Sequence, residues 1–134
     1  MTENLIDRRR WLFLTTFAGV TAVASGCSSG SANTPVDAAK ARDTLRTALD
    51  SWKKGDKVDG LQKASPPIYV IDPDWQVGAV LKDYKLIGDG KEMDANLFCT
   101  VSLTVRPPGG AESTREVTYI VATAPNLTVS RKVF

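Results

Sequence analysis

The spacing of apolar residues changes once along the chain, and this change does most to limit how the chain can fold. Between residues 38 and 52 apolar side chains recur every three or four positions, which is typical of a helix with one buried face. From residue 80 onward they alternate with polar side chains, most clearly in LFCTVSLTV at residues 97–105, which is typical of a half-buried strand. The sequence therefore predicts one amphipathic helix followed by a sheet.

Capping residues and turn formers mark the ends of these elements. Thr34 suits a helix cap, Pro35 suits the first helical position and Gly55 suits a helix end, so we predict a helix over residues 35–54. Gly88-Asp89-Gly90 is expected to form a hairpin turn. The remaining predicted elements are a short helix at 58–64, an extended piece at 68–71, a turn at 72–78 and strands at 80–87, 95–106, 113–123 and 127–134.

The order of these elements predicts the fold class. Consecutive strands with short connections pair antiparallel, and the apolar stripe of the helix matches the apolar face of such a sheet. We therefore expect an α+β domain over residues 35–134, with an N-terminal helix packed on a curved antiparallel sheet of four or five strands.

Composition limits the chemistry. The chain has no histidine, and its two cysteines are Cys27 and Cys99. Histidine is the commonest general base near neutral pH and the commonest metal ligand, so we expect neither a metal site nor a cofactor. A formal net charge of +2 gives no electrostatic reason to expect nucleic acid as a partner. Cys99 lies within an apolar strand, where it is expected to pack as a small hydrophobic side chain.

The first 26 residues have the pattern of an export signal. A charged start containing Arg10 leads into WLFLTTFAGVTAVASG at residues 11–26, which carries no charge and ends in small residues. As a helix this stretch reaches about 24 Å, which is short of a hydrocarbon core of about 30 Å. We therefore expect a signal peptide that is removed, and no transmembrane helix in the mature protein.

The arginine cluster resembles the twin-arginine export motif. In that resemblance Arg8 and Arg9 are the paired arginines, and Trp11 and Leu12 occupy the hydrophobic positions. An ordinary secretory signal is the alternative.

The end of the same segment resembles a bacterial lipobox, VASGC at residues 23–27. The resemblance implies cleavage between Gly26 and Cys27, with fatty-acyl groups such as palmitate carried on Cys27, and residues 27–34 then form a flexible tether. It also implies an exported protein of the bacterial cell envelope that is anchored to a membrane by lipid and faces the periplasm or the exterior. An unmodified thiol at Cys27 is the alternative.

A second resemblance concerns the folded part. The run Ala-Leu-x-x-Trp-x-x-Gly-Asp at residues 48–56 resembles the cystatin-like α+β cone, and more narrowly the superfamily of nuclear transport factor and ketosteroid isomerase. SPPIYVIDPDW at 65–75, with VTY at 117–119 and LTVSRKVF at 127–134, resembles small bacterial lipoproteins. In the isomerases a carboxylate and a tyrosine inside the cone do the chemistry, and the loose counterparts here are Asp83 or Asp72 with Tyr69 or Tyr119.

Four residues are candidates for a pocket between helix and sheet, namely Tyr69, Asp72, Trp75 and Tyr119. Asp72 and Asp74 flank Pro73, so they could act as an acid–base pair or hold a cation, but they are also typical turn formers that bond their own backbone. The aromatic residues could line a pocket mouth or pack in the core.

Three functions remain open at this point. The first is a non-catalytic envelope module that binds a protein or a small ligand. The second is a small isomerase-like enzyme or ligand carrier with an aromatic-lined pocket, and the third is a structural component of the envelope. The absence of histidine and of a nucleophile motif favours the first. Acylation of Cys27 would also leave Cys99 without a disulfide partner.

Overall fold

The computed structural model describes residues 34–134, and they form an α+β fold. The elements in chain order are helix α1 (Ala38–Lys53), a 3₁₀-helix (Val58–Lys63), strand β1 (Ile68–Ile71), the one-turn helix α2 (Pro73–Gln76) and strands β2 (Val80–Met93), β3 (Asn96–Arg106), β4 (Ser113–Ala122) and β5 (Leu127–Arg131). None of the helices in this part of the chain has both the length and the apolar character that crossing a membrane requires. The residues predicted to direct export and lipidation, Arg8, Arg9, Trp11, Leu12, Gly26 and Cys27, lie outside the described residues.

Helix α1 confirms the amphipathic pattern but begins later than predicted. Its cap is Asp37, not Thr34, and the Asp37 carboxylate accepts a hydrogen bond from the Lys40 backbone nitrogen at 3.1 Å. Aspartate caps helices at least as well as threonine, and the extended backbone of Asp37 places the preceding residues outside the helix. The helix ends at Lys53, one residue before the predicted end.

The five strands form one sheet in the order β1-β5-β4-β3-β2. The pairs β2–β3, β3–β4 and β4–β5 are antiparallel, as predicted. The prediction of a purely antiparallel sheet is wrong at β1, which pairs parallel with β5 from Ile68 opposite Leu127 to Ile71 opposite Ser130. The chain between β1 and β2 therefore passes from one edge of the sheet to the other, and α2 lies on this connection.

One face of the sheet and one face of α1 form the core. The predicted alternation in β3 is confirmed, because Leu97, Cys99, Val101, Leu103 and Val105 are buried while the residues between them are half-buried. The buried residues of α1 are Ala41, Thr44, Leu45, Ala48, Leu49 and Trp52. Cys99 packs among these apolar side chains, and burial raises the pKa of its thiol. Full burial of one leucine such as Leu45 stabilises the fold by about 1.5–3 kcal/mol.

The first hairpin turn does not lie where the glycines predicted it. Strand β2 continues through Gly88-Asp89-Gly90 to Met93, and the turn falls at Asp94 and Ala95, which have φ angles of 53° and 67°. The glycines instead accommodate a break in register between Ile87 and Lys91. A Cβ atom at Gly90 would lie 3.0 Å from Cγ of Leu97, so a larger residue would press against β3.

Candidate functional site

Two stacked tryptophans connect α1 to α2. The rings of Trp52 and Trp75 lie 5.5 Å apart between centroids, with 9° between their planes. The Trp52 indole nitrogen donates to the carbonyl oxygen of Ala79 at 2.8 Å, and the Trp75 indole nitrogen donates to that of Asp56 at 2.9 Å. Each indole is therefore held by the segment that carries the other, which fixes the pair in position.

A groove of about 420 Å³ lies beside this pair. It is lined by Trp52, Gly55, Asp56, Lys57, Val58, Asp59, Trp75, Gln76, Gly78, Ala79 and Val80. One wall is the chain after α1 and the other is the chain from α2 to the start of β2. Gly55 in the first wall has a φ of +93°, a left-handed conformation that glycine adopts readily, and it borders open space.

The groove has an apolar base and a polar rim. Trp52 and Trp75 are 2% and 6% exposed, whereas the side chains of Asp56, Lys57, Asp59 and Gln76 are exposed. Its volume lies within the range of small-molecule sites, about 300–1,000 Å³, and sites that bind ligands combine apolar walls with a few polar groups. The groove is therefore suited to a ligand that places an apolar group against the base and polar groups at the rim.

Behind α2 lies a buried carboxylate, Asp72, which is 1% exposed. Its Oδ1 accepts hydrogen bonds from the backbone nitrogens of Asp74 at 2.9 Å and Trp75 at 3.3 Å, so it caps α2. The Tyr119 hydroxyl donates to Oδ2. Arg131 donates to Oδ1 at 2.9 Å and to Oδ2 at 3.3 Å. Both carboxylate oxygens are thus occupied by protein donors.

The Asp74 carboxylate extends this network of ion pairs from the core to the surface. Asp74 accepts a hydrogen bond from Arg131 at 2.7 Å and another from Arg115. The exposed fraction of the side chain rises from 8% at Arg131 to 26% at Asp74 and 51% at Arg115. Burial alone would raise the pKa of Asp74, but the hydrogen bonds from Arg131 and Arg115 outweigh it and lower that pKa below its ordinary value.

Tyr119 and Arg131 keep their protons near neutral pH, because the pKa of each is raised above its ordinary value. Burial, with the charge and hydrogen bond of Asp72, raises the pKa of Tyr119 well above its ordinary value. Burial acts to lower the pKa of Arg131, but the contacts with Asp74, Tyr119 and Asp72 raise it overall. Within residues 34–134, no three cysteine or carboxylate side chains come together in a way that could hold a metal ion.

The structure brings together three of the four predicted pocket residues. Asp72 and Tyr119 are hydrogen-bonded, and Trp75 follows Asp72 in the capped turn. Tyr69 lies on the exposed face of β1, where it is 40% exposed, and it does not join them. Only Trp75 of the four lines the groove. Asp83 is exposed and pairs with Lys53 at 3.3 Å.

Sequence reasoning missed the two arginines of the network. Arg115 lies four residues before buried Tyr119 on β4, and Arg131 lies opposite Tyr119 on β5. Alternation along these strands places both on the core-facing side, where an arginine requires an anionic partner. An inward-facing arginine beside a predicted buried tyrosine was the available signal. Gly55 of the groove was noted as a helix end, and Asp56 only as part of the run at residues 48–56 that resembles the cystatin-like cone.

Comparisons of the chain with protein-family models, with curated proteins and with solved structures found no match.

Proposed function

We propose that this protein is an exported, lipid-anchored envelope protein whose folded part is a non-catalytic binding module, with the groove beside Trp52 and Trp75 as its binding site. One contrast carries this proposal: the groove is open to a ligand, whereas the buried carboxylate of Asp72 has no free oxygen to offer one. The groove is open and its aromatic base is fixed by two hydrogen bonds. The one fully buried carboxylate in residues 34–134, Asp72, is paired at both oxygens.

The pairing of Asp72 supports binding over catalysis. A general base needs a free lone pair within hydrogen-bonding reach of the proton that it removes. Asp72 instead caps α2 and accepts from Tyr119 and Arg131, and neither Asp72 nor Tyr119 lines the groove. These contacts give the carboxylate a structural role, in which it holds the turn that carries Trp75.

The membrane anchor of this proposal is the lipid on Cys27. The resemblance to a lipobox, followed by the small polar residues 28–34, supports it. Acyl chains contribute about 0.8 kcal/mol for each buried methylene, so two or more chains anchor a protein stably without protein contacts. Export through the twin-arginine route belongs to the same proposal and is supported by Arg8 and Arg9. The groove would then meet its partner at the surface of the envelope membrane.

We also propose that the fold is of the cystatin-like cone type. The position of α1 against one face of a five-stranded sheet supports this proposal, as does the long β2–β3 hairpin. The four antiparallel strands β2 to β5 form the cone in this proposal, and β1 is added parallel to β5 at the edge of the sheet.

One observation supports the alternative function, a small isomerase-like enzyme or ligand carrier. Tyr119 donates to Asp72, so a tyrosine and a carboxylate do meet on the inner face of the sheet. Chemistry at this pair would require a substrate to displace Arg131, whose side chain is 8% exposed. The groove offers an open site without such a displacement.

Site-specific crosslinking tests the binding proposal. The photoreactive residue p-benzoylphenylalanine is placed at Gln76, which lines the groove, and as a matched control at Glu112, which is exposed on the β3–β4 loop. Irradiation of intact cells that express the full chain is followed by mass analysis of the adducts. We expect a defined adduct at position 76 that is absent at 112 and is lost when Val80→Arg places a charge at the groove rim. Equal labelling at both positions, or no adduct at 76, would contradict the proposal.

A further inference from the structure

The short helix α2 has little stability of its own. It consists of four residues, and a single turn fixes several backbone dihedrals for few hydrogen bonds. Its position must therefore be set by the side-chain contacts of Asp72, Asp74 and Trp75. Two of its residues, Trp75 and Gln76, line the groove, so any shift of α2 also moves one groove wall.

Two anchors of different exposure hold this turn. The inner anchor is Asp72, which is bound by Tyr119 and Arg131 and is almost fully buried. The outer anchor is Asp74, which is bound by Arg131 and by the half-exposed Arg115. The inner anchor lies at the start of the turn, and the outer anchor is adjacent in sequence to Trp75.

The two arginines differ in what their loss would do. Arg131 contacts both carboxylates and lies over the Tyr119 ring at 5.7 Å, so its removal leaves a buried charge unpaired and weakens the whole fold. Arg115 hydrogen-bonds Asp74 alone among residues 34–134 and is 51% exposed. Its removal frees one side of Asp74 while the inner anchor stays intact.

We infer that Arg115 is a positioning residue for the binding groove: from strand β4 it holds Asp74 and thereby adds to the indole hydrogen bonds that keep Trp75 stacked on Trp52. This inference rests on the proposed function for its biological meaning, since the groove is the site that Arg115 serves. The link from Arg115 through Asp74 to the tryptophan pair can be tested without any ligand.

The stacked pair supplies a readout that requires no ligand. Two indoles in close, nearly parallel contact give a coupled signal in far-ultraviolet circular dichroism, and Trp52→Phe in the full chain defines the spectrum without it. We expect Arg115→Gln to lower the amplitude of this signal measurably but by no more than about twofold, because an ion pair of this exposure shifts a two-state equilibrium by about fivefold at most. Arg115→Lys, which keeps the charge, should restore part of the amplitude.

The matched control is Arg46→Gln. Arg46 is also 51% exposed and also pairs with an aspartate, Asp43, but it lies on α1 away from the α2 anchor. This variant should leave the coupled signal unchanged, and the urea midpoints of both glutamine variants should lie close to that of the unaltered protein. An unchanged signal in Arg115→Gln would overturn the inference, since Arg131 alone would then hold Asp74. A reduced signal without any adduct at position 76 would support the positioning role while contradicting the binding function.

Discussion

At the scale of single residues, Asp72 links local structure to tertiary structure. One of its oxygens caps the turn that follows it, as expected for an aspartate before proline, and this part was predictable from the sequence. Its other partners, Tyr119 and Arg131, are 47 and 59 residues away in the chain. Alternation along β4 and β5 places Tyr119 and Arg131 on the core-facing side, but no local pattern shows that both meet Asp72, so its full pairing was not predictable.

Tyr119→Phe is expected to lower the free energy of unfolding by about 1–3 kcal/mol. The substitution keeps the ring but removes a donor to a buried carboxylate, and hydrogen bonds to charged groups contribute in this range. Urea denaturation measures the change.

Tyr69→Phe is the matched control, because Tyr69 is 40% exposed. It should change the free energy of unfolding by less than about 0.5 kcal/mol. Equal effects of the two substitutions would show that the Tyr119 hydroxyl contributes nothing to stability.

Tyr119 also predicts how stability responds to alkaline pH. Its pKa in the folded protein is raised above the ordinary value of 10.0, so its contribution is fully present below pH 10.0 and is lost as the pH rises toward the folded pKa. Tyr84 acts in the same direction, because burial and its hydrogen bond to Asp50 raise its pKa to about 12. Stability should therefore fall above pH 10.0 with a smaller slope in Tyr119→Phe than in the unaltered protein, as measured by urea midpoints across this range. Identical slopes would contradict this role of Tyr119.

At the scale of elements, the sequence predicted which segments form strands better than where they turn. Gly-Asp-Gly is a strong turn pattern, yet the β2–β3 register runs on to Met93 opposite Asn96. Pairing of Lys91, Glu92 and Met93 with the start of β3 extends the ladder, and the glycines absorb the break in register. Tertiary pairing thus outweighed local turn preference.

Ala95→Gly is expected to stabilise the protein by about 0.5–1 kcal/mol. Ala95 has a φ of 67° in a two-residue turn, and glycine adopts this left-handed conformation without the steric cost of a Cβ atom. The midpoint of thermal unfolding provides the measurement.

Ala64→Gly is the control for this prediction. Ala64 is exposed and has a φ of −76°, where glycine relieves no strain and adds entropy to the unfolded chain. This variant should be no more stable than the unaltered protein. Destabilisation by Ala95→Gly would show that the turn is not strained at this position.

At the scale of the whole molecule, the features that the sequence did not predict are those made by distant segments. The alternation in β5 is typical of a strand and residues 68–71 were predicted as an extended piece, but their parallel pairing joins residues 59 positions apart, such as Ile68 and Leu127. The groove likewise combines the chain after α1 with the chain around α2. The helix, the strand faces and the α+β class followed from periodicity because they depend on neighbours along the chain.

In the proposed function a lipid anchor would make the binding module part of an envelope, and that anchor depends on Cys27. Mass spectrometry of the intact protein extracted from membranes tests it most directly. We predict a chain that begins at Cys27 and carries the added mass of a diacylglycerol and a further acyl group. A protein that retains Met1, or one whose Cys27 is an unmodified thiol, would contradict the proposal of a lipid-anchored module.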